Sequence, residues 1–135
     1  MAPNLIEVVE ESINEGTDAI SLINTILGMS IDIHTRRPRI AMKYGGYSGP
    51  GIKPIGVRLV HLVFEEFNVP IIGMGGIENS ADAIEYMLAG ASAVGVGTGT
   101  FKNHNVFSEI YKGINEYLNK YNYISVKDIV GKVVV

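Results

Sequence analysis

The fold of this chain is decided by a stretch in which an apolar run breaks into glycines, Pro70-Ile71-Ile72-Gly73-Met74-Gly75-Gly76-Ile77. Residues 69–72 predict a buried strand, and Glu78-Asn79-Ser80 opens a helical pattern directly after the glycines. A strand that turns through glycines into a helix is typical of an anion cradle. Glycine lets the backbone approach a ligand, and its unpaired N–H groups point at that ligand. The stretch therefore predicts a ligand loop at the end of a strand.

A second glycine-rich segment follows about twenty residues later, again at the end of a short apolar run: Val94-Gly95-Val96-Gly97-Thr98-Gly99-Thr100. Two consecutive strand ends with glycine loops are typical of a (β/α) barrel whose last two loops hold a phosphate. An ordinary tight turn would explain either segment alone. Because the two occur together, we favour the phosphate site.

The rest of the chain alternates apolar strands with amphipathic helices. Strands are predicted at residues 19–24, 69–72 and 93–96. Helices are predicted from Asn4 to Gly16, from Pro54 onward, at residues 80–89, and over a last segment with Phe107, Ile110, Tyr111, Ile114, Leu118 and Tyr121 at helical spacing. Residues 125–135 fit either a short helix or an apolar tail. This order implies a parallel sheet covered by helices, which is an α/β fold.

A long excursion separates the first strand from the second helix. Ile31 and Ile33, and then Ile40 and Met42, alternate with polar residues and predict a hairpin with its polar tip at residues 34–38. Residues 45–51 predict an irregular loop. Long loops at the carboxyl ends of strands usually serve a ligand, so we expect this excursion to contribute to the site.

Composition excludes several classes of function. The chain has 135 residues, no cysteine and a formal net charge of −3. Disulfides, thiolate metal sites and thiol nucleophiles are therefore ruled out within it. The acidic charge argues against nucleic-acid binding, and no apolar window approaches the roughly 18 residues of a membrane span. The three histidines lack metal-ligand spacing, so no metal site is expected.

Basic residues in and after the excursion have simple explanations. Arg36, Arg37, Arg39 and Lys43 are predicted to form a solvated hairpin tip, because no aromatic residues are interleaved with them. Lys53 is expected to pack its stem and to point its charge outward. No chemistry is assigned to these groups.

The number of predicted strands is too small for a closed barrel. Eight strands and typically about 250 residues are needed, whereas residues 1–135 supply three parallel strands and are treated as one domain. Either the chain is a small open α/β domain, or it is part of a barrel whose other strands lie elsewhere. The pattern alone leaves both possibilities open.

Several ordered motifs resemble the dihydroorotate dehydrogenases, and most closely the B-type catalytic subunit of the class 1 enzymes. They are Asn24-Thr25, Gly45-Gly46-Tyr47-Ser48-Gly49-Pro50, Ile52-Lys53-Pro54, Ile72-Gly73-Met74-Gly75-Gly76-Ile77 and Ala89-Gly90-Ala91-Ser92-Ala93-Val94. The resemblance runs from Pro3-Asn4 to about Asp128. It covers the C-terminal half of the family's (β/α)8 TIM barrel, so the three strands would be the sixth, seventh and eighth.

The resemblance implies an FMN-dependent oxidoreductase of pyrimidine biosynthesis, located in the cytoplasm, that oxidises dihydroorotate to orotate. It places Ile23 under the flavin and brings Asn24 and Thr25 to the substrate. An amide such as that of Asn24 both donates and accepts, which suits a pyrimidine imide. The positions whose backbone groups would hold FMN, chiefly its phosphate, are Gly49, Gly75, Gly76, Gly97 and Thr98.

The family's catalytic base and one flavin-contacting lysine have no counterpart here. The base in B-type enzymes is a cysteine that lies before the matched region, and this chain contains none. The lysine stands just ahead of the family's Pro-Asn pair, and in this sequence only Met1 and Ala2 precede Pro3-Asn4. No catalytic residue is therefore assigned, and the chain by itself is expected to be inactive.

The resemblance also implies a partner and leaves alternatives. In the complete family enzyme, electrons pass through an FAD/iron–sulfur subunit to NAD. One alternative is a dihydropyrimidine dehydrogenase-like domain, which shares the glycine motifs. Another is a non-catalytic flavin- or phosphate-binding half-barrel. We expect the open edges of the sheet to be covered either by a missing N-terminal half or by a homo-oligomer.

Overall fold

The protein is seen as a computed structural model that describes residues 4–134. Its strands are β1 (Ile20–Leu22), β2 (Ile26–Gly28), β3 (Ile31–Asp32), β4 (Arg37–Pro38), β5 (Gly45–Tyr47), β6 (Ile71–Met74) and β7 (Ala93–Gly95). Its α-helices are α1 (Leu5–Asn14), α2 (Lys53–Glu66), α3 (Ser80–Leu88), α4 (Gly99–Lys102) and α5 (Val106–Lys120). Two 3-10 turns occupy Pro50–Ile52 and Val126–Asp128.

The central sheet is parallel, with strand order β1-β6-β7. Ile20 pairs with Ile71 at one end of the β1–β6 ladder, and Met74 pairs with Gly95 at the far end of the β6–β7 ladder. The predicted α/β architecture is therefore confirmed, and within residues 4–134 the sheet does not close into a barrel. Parallel pairing brings the carboxyl ends of all three strands to one edge.

The core lies between this sheet and the helices. Helix α2 buries Leu59, Val60 and Val63, and Ile71 of β6 is fully buried against that face. Proline in the first turn suits the start of α2, because the missing N–H has no intrahelical partner there. Helix α3 buries Tyr86 as the largest of the fully buried side chains.

The excursion between β1 and α2 differs from its prediction. A hairpin does form, but its second strand is β4 at Arg37–Pro38, so Ile40 and Met42 are exposed. Residues 45–47 were expected in an irregular loop, yet they form β5, which pairs antiparallel with β2. That prediction was wrong because glycine has little preference for strands, so Gly45 and Gly46 gave no strand signal. In the fold, the missing side chain of Gly46 leaves the space that the Thr25 side chain occupies.

The apolar residues of helix α5 lie on two faces, whereas the sequence analysis grouped them in one helical pattern. Val106, Ile110 and Leu118 follow one another at helical spacing and are buried. Phe107 and Tyr111 stand one residue later, about 100° round the helix, and are exposed. The C-terminal segment turns through a 3-10 helix and continues along α3, where the Gly131 N–H donates to the Met87 carbonyl at 3.0 Å.

Candidate functional site

One cavity of about 560 Å³ opens at the carboxyl ends of β1, β6 and β7. This volume falls in the range of roughly 300–1,000 Å³ of small-molecule sites. All eight residues singled out from the sequence line it: Ile23, Asn24, Thr25, Gly49, Gly75, Gly76, Gly97 and Thr98. Their neighbours in the wall are Ser21, Ser48, Ile52, Met74, Gly95 and Val96.

The turn after β6 can be built only from glycines. Gly75 has φ +119° and Gly76 has φ +72°, in the region that side chains rarely adopt. A Cβ on Gly76 would stand 2.6 Å from the Gly49 carbonyl oxygen and 3.0 Å from the Lys53 Cβ. The turn and the segment leading into α2 therefore touch backbone to backbone at the mouth of the cavity.

Backbone donors accumulate where the two glycine loops meet the cavity. Among the residues from 4 to 134, the N–H groups of Gly75, Gly76, Gly97 and Thr98 find no protein acceptor. The second loop is held instead through its carbonyl, because the Thr100 N–H and hydroxyl both donate to the Gly97 oxygen, at 3.0 and 2.8 Å. Four free donors on two neighbouring loops suit an anion with several oxygens.

Gly97 faces open space. A Cβ placed on it would meet no atom within 4 Å, and its φ lies outside the left-handed region. Neither strain nor close packing within the described chain requires glycine at this position. A ligand that approaches the backbone closely would require it.

The other wall of the cavity is apolar. Ile23, Ile52 and Met74 line it, and the Ile23 N–H donates to the Met74 carbonyl at 2.9 Å, which ties the end of β1 to the end of β6. A Cβ on Gly75 would lie 3.1 Å from Ile52 Cδ1 and 3.4 Å from Ile23 Cγ1. Gly75 therefore packs closely against both isoleucines, and this wall has the apolar lining typical of small-molecule sites.

Asn24 and Thr25 stand at the polar end of β1. The Asn24 Oδ1 accepts the Thr25 N–H at 2.7 Å, which fixes the amide plane. Its NH₂ group has no acceptor within the part of the chain that the structure describes. A donor therefore remains free beside the apolar wall.

Behind the site lies an ion pair that the sequence analysis missed. Lys53 Nζ is 2.7 Å from Asp82 Oδ1 and 2.6 Å from Glu85 Oε2. The expectation that Lys53 points its charge outward was wrong, because its side chain is only 22% exposed and meets two carboxylates. The Asn79/Asp82 spacing is that of a capping box, which could have identified Asp82 as structural; nothing local in the sequence pairs it with Lys53.

Tyr86 supports the same turn from the core. Its hydroxyl donates to the Met74 and Gly75 carbonyls, at 3.1 and 2.9 Å. Burial raises the pKa of this phenol to about 12, so the donor stays protonated. Gly56 of α2 makes room for the ring, because a Cβ there would collide with the hydroxyl.

Within residues 4–134, no cluster of three or more histidine, aspartate or glutamate side chains could hold a metal ion. No helix in the same residues is long and apolar enough to cross a membrane.

The family model described as dihydroorotate dehydrogenase matches residues 1–118. Two similar relatives, from Alkaliphilus oremlandii and Caldicellulosiruptor bescii, are both named dihydroorotate dehydrogenase B (NAD(+)), catalytic subunit. They are 49% and 48% identical over 98% of this chain. The chain spans about 45% of the length of each.

A crystal structure of DHODH from Eimeria tenella, in complex with ferulenol, is similar with a TM-score of 0.79 and 27% identity. The similarity covers 95% of this chain and 34% of that one. Both comparisons agree with the geometry of an incomplete barrel that carries a cavity at its strand ends. The chain belongs to the dihydroorotate dehydrogenase family.

Proposed function

We propose that this chain forms the FMN-phosphate and substrate-binding part of an enzyme that oxidises dihydroorotate to orotate in cytoplasmic pyrimidine biosynthesis. The observation that carries the proposal is that all eight candidate residues line one shared cavity at the carboxyl ends of three parallel strands. Ligand sites of (β/α) barrels lie at that end of the strands, and their phosphate groups lie on the last two loops.

The residues present fit FMN. The free N–H groups of Gly75, Gly76, Gly97 and Thr98 would hold its phosphate, with the Gly49 segment closing the side of the cradle. Ile23 and Ile52 offer an apolar wall to the ring system. When bound, FMN would supply the hydride acceptor for the oxidation.

Asn24 and Thr25 would bind the pyrimidine. The free amide NH₂ of Asn24 would donate to a ring carbonyl, and the side chain's fixed plane limits the orientations that the substrate can adopt. Both residues lie on the cavity wall beside Ile23, so the substrate ring would rest next to the flavin ring.

The remaining machinery would come from outside residues 1–135. The chain contains no cysteine to act as the base and supplies three of the eight barrel strands. We assign the base, the flavin-contacting lysine and the other strands to a preceding half-barrel, and electron transfer to an FAD/iron–sulfur partner subunit. By itself the chain would bind FMN and the pyrimidine but would not oxidise dihydroorotate.

A substitution at Gly97 tests this proposal on the 135-residue chain. A Cβ at this position would meet no atom within 4 Å, so Gly97→Val should leave stability against urea within about 0.5 kcal/mol of wild type. FMN binding, followed by quenching of flavin fluorescence, should weaken more than about tenfold. Unchanged FMN affinity would show that the cradle assignment is wrong.

The absence of cysteine also favours a second candidate, a half-barrel that binds flavin without catalysis. The two candidate functions predict different effects of adding a preceding half-barrel. Coexpression with the matching half of the Alkaliphilus oremlandii relative should restore dihydroorotate oxidation if the first proposal holds. Flavin binding without any gain in activity would favour the second.

A further inference from the structure

The Asp82 carboxylate connects two of the segments that form the candidate phosphate cradle. Its Oδ2 accepts the N–H groups of Glu78 and Asn79, at 2.9 and 3.2 Å, and so fixes the segment that follows Gly76. Its Oδ1 accepts Lys53 Nζ at 2.7 Å. Lys53 is the first residue of α2 and follows the Gly49 segment through the 3-10 turn.

The pair is largely withdrawn from solvent. The side chains of Lys53 and Asp82 are 22% and 12% exposed, and among residues 4–134 Asp82 is the one charged residue that is buried. Burial works to raise the pKa of the Asp82 carboxyl. The hydrogen bonds from Lys53 and from the Glu78 and Asn79 N–H groups outweigh it and lower that pKa below its ordinary value.

A third segment is joined to the same loop. Glu78 pairs with Lys102 at 2.5 Å, and Lys102 ends α4, the helix that begins directly after the Gly97-Thr98 loop. Lys102 is 64% exposed, so this contact is screened and weak in comparison with the Lys53–Asp82 pair. All three glycine segments of the cavity are therefore tied to residues 78–82.

Lys53 does not itself reach the cavity. It is absent from the cavity wall, and its ammonium lies between Asp82 and Glu85. A direct ion pair between this lysine and a bound phosphate is thus not what the geometry offers. Its position suits a structural role, in which its ion pair with Asp82 holds the start of α2 against the segment that follows Gly76.

We propose that Asp82 is a positioning residue that sets the spacing of the Gly49 and Gly75-Gly76 segments for a phosphate, with Lys53 as its partner. This inference rests on the proposed FMN site. Its consequence is selective: losing the pair should weaken binding of the phosphate and spare binding of the flavin ring, because the ring rests on Ile23 and Ile52 instead.

The test compares FMN with riboflavin, which lacks the phosphate, on the 135-residue chain. Asp82→Asn keeps the size of the side chain but cannot accept from Lys53 and from the loop N–H groups as a carboxylate does. FMN affinity is expected to fall about tenfold, and riboflavin affinity to change less than about twofold. A general loss of structure would instead weaken both ligands together.

Two further variants keep the result interpretable. Lys53→Met leaves the hydrogen bonds of the capping box in place and should give the same selective loss, even where Asp82→Asn fails to fold. Lys112→Met removes an exposed lysine that lies 3.8 Å from Glu116 on α5 and should change neither affinity. Far-UV circular dichroism confirms folding of each variant.

The outcomes separate the two proposals. A wild-type chain that prefers FMN to riboflavin, with the preference kept in the Asp82 and Lys53 variants, overturns the positioning role and leaves the FMN site standing. A wild-type chain with no preference for FMN overturns both. Selective loss of FMN affinity in the variants supports the positioning role.

Discussion

The Gly49 carbonyl oxygen lies 2.6 Å from the point at which a Cβ on Gly76 would stand. A carbon atom cannot occupy that position without moving backbone. Gly76 also has φ +72°, so an alanine there meets strain and collision together. The segment that leads into α2 and the loop that follows β6 are therefore in close contact where both line the cavity.

Gly76→Ala should therefore destabilise the chain by about 1–3 kcal/mol more than a glycine substitution with strain alone. Gly16→Ala is the matched control, because Gly16 has φ +92° but a Cβ there meets nothing within 4 Å. Urea unfolding of the two variants measures the difference. Equal losses would mean that the loops can separate without cost.

Stability should depend on pH through the Lys53–Asp82 pair. The lowered pKa of Asp82 means that its contribution is present above about pH 4 and is lost as pH falls through the folded-state value. The pKa of Lys53 is raised by its hydrogen bonds to Asp82 and Glu85, so its contribution is present below about pH 10 and is lost as pH rises further. Urea midpoints measured from pH 3 to pH 7 should fall less steeply with acid in Asp82→Asn than in wild type. Parallel curves would contradict the assigned role of the carboxylate.

Tyr86→Phe should lower stability by about 1 kcal/mol, because the Met74 and Gly75 carbonyls lose a shared donor in a buried site. Tyr111→Phe serves as the control, since the Tyr111 side chain is 73% exposed. Thermal or urea unfolding of both variants gives the comparison. A Tyr86 variant as stable as the Tyr111 variant would show that the hydroxyl does not support the turn.

Asn24→Ala should separate substrate binding from flavin binding. In the complete enzyme formed with a preceding half-barrel, dihydroorotate oxidation should fall about tenfold or more while FMN content stays at the wild-type level. The reason is that Asn24 offers a side-chain amide at the end of β1, whereas the proposed cradle uses backbone N–H groups of two other loops. Steady-state kinetics and the flavin absorbance of the purified protein supply the two readings. Equal loss of both would remove Asn24 from the substrate site.

The sequence was sufficient for the elements that repeat a simple pattern. The apolar runs gave β1, β6 and β7, although β6 begins two residues later than predicted and extends into Gly73 and Met74. Parallel strand ends meet at one edge, so residues far apart in sequence, such as Asn24 and Gly97, were correctly expected near each other. Their roles toward FMN and substrate remain predictions.

What the sequence concealed depends on contacts between distant residues. The β2–β5 pairing requires Gly45 and Gly46 in a strand, where glycine has little intrinsic preference. The turn of Lys53 toward Asp82 depends on a pairing across 29 positions. Neither the β2–β5 pairing nor the Lys53–Asp82 contact produces a periodic pattern in the sequence. Periodicity indicates which face of an element is buried, but it does not identify the residues that pack against that face.

The most direct test of the phosphate cradle compares FMN and riboflavin binding to the wild-type 135-residue chain, with inorganic phosphate as a competitor. Several charge-assisted hydrogen bonds from the Gly75, Gly76, Gly97 and Thr98 N–H groups should make FMN bind about a hundredfold more tightly than riboflavin. Inorganic phosphate should displace FMN and leave riboflavin bound. Equal affinity for the two flavins, unaffected by phosphate, would contradict the account.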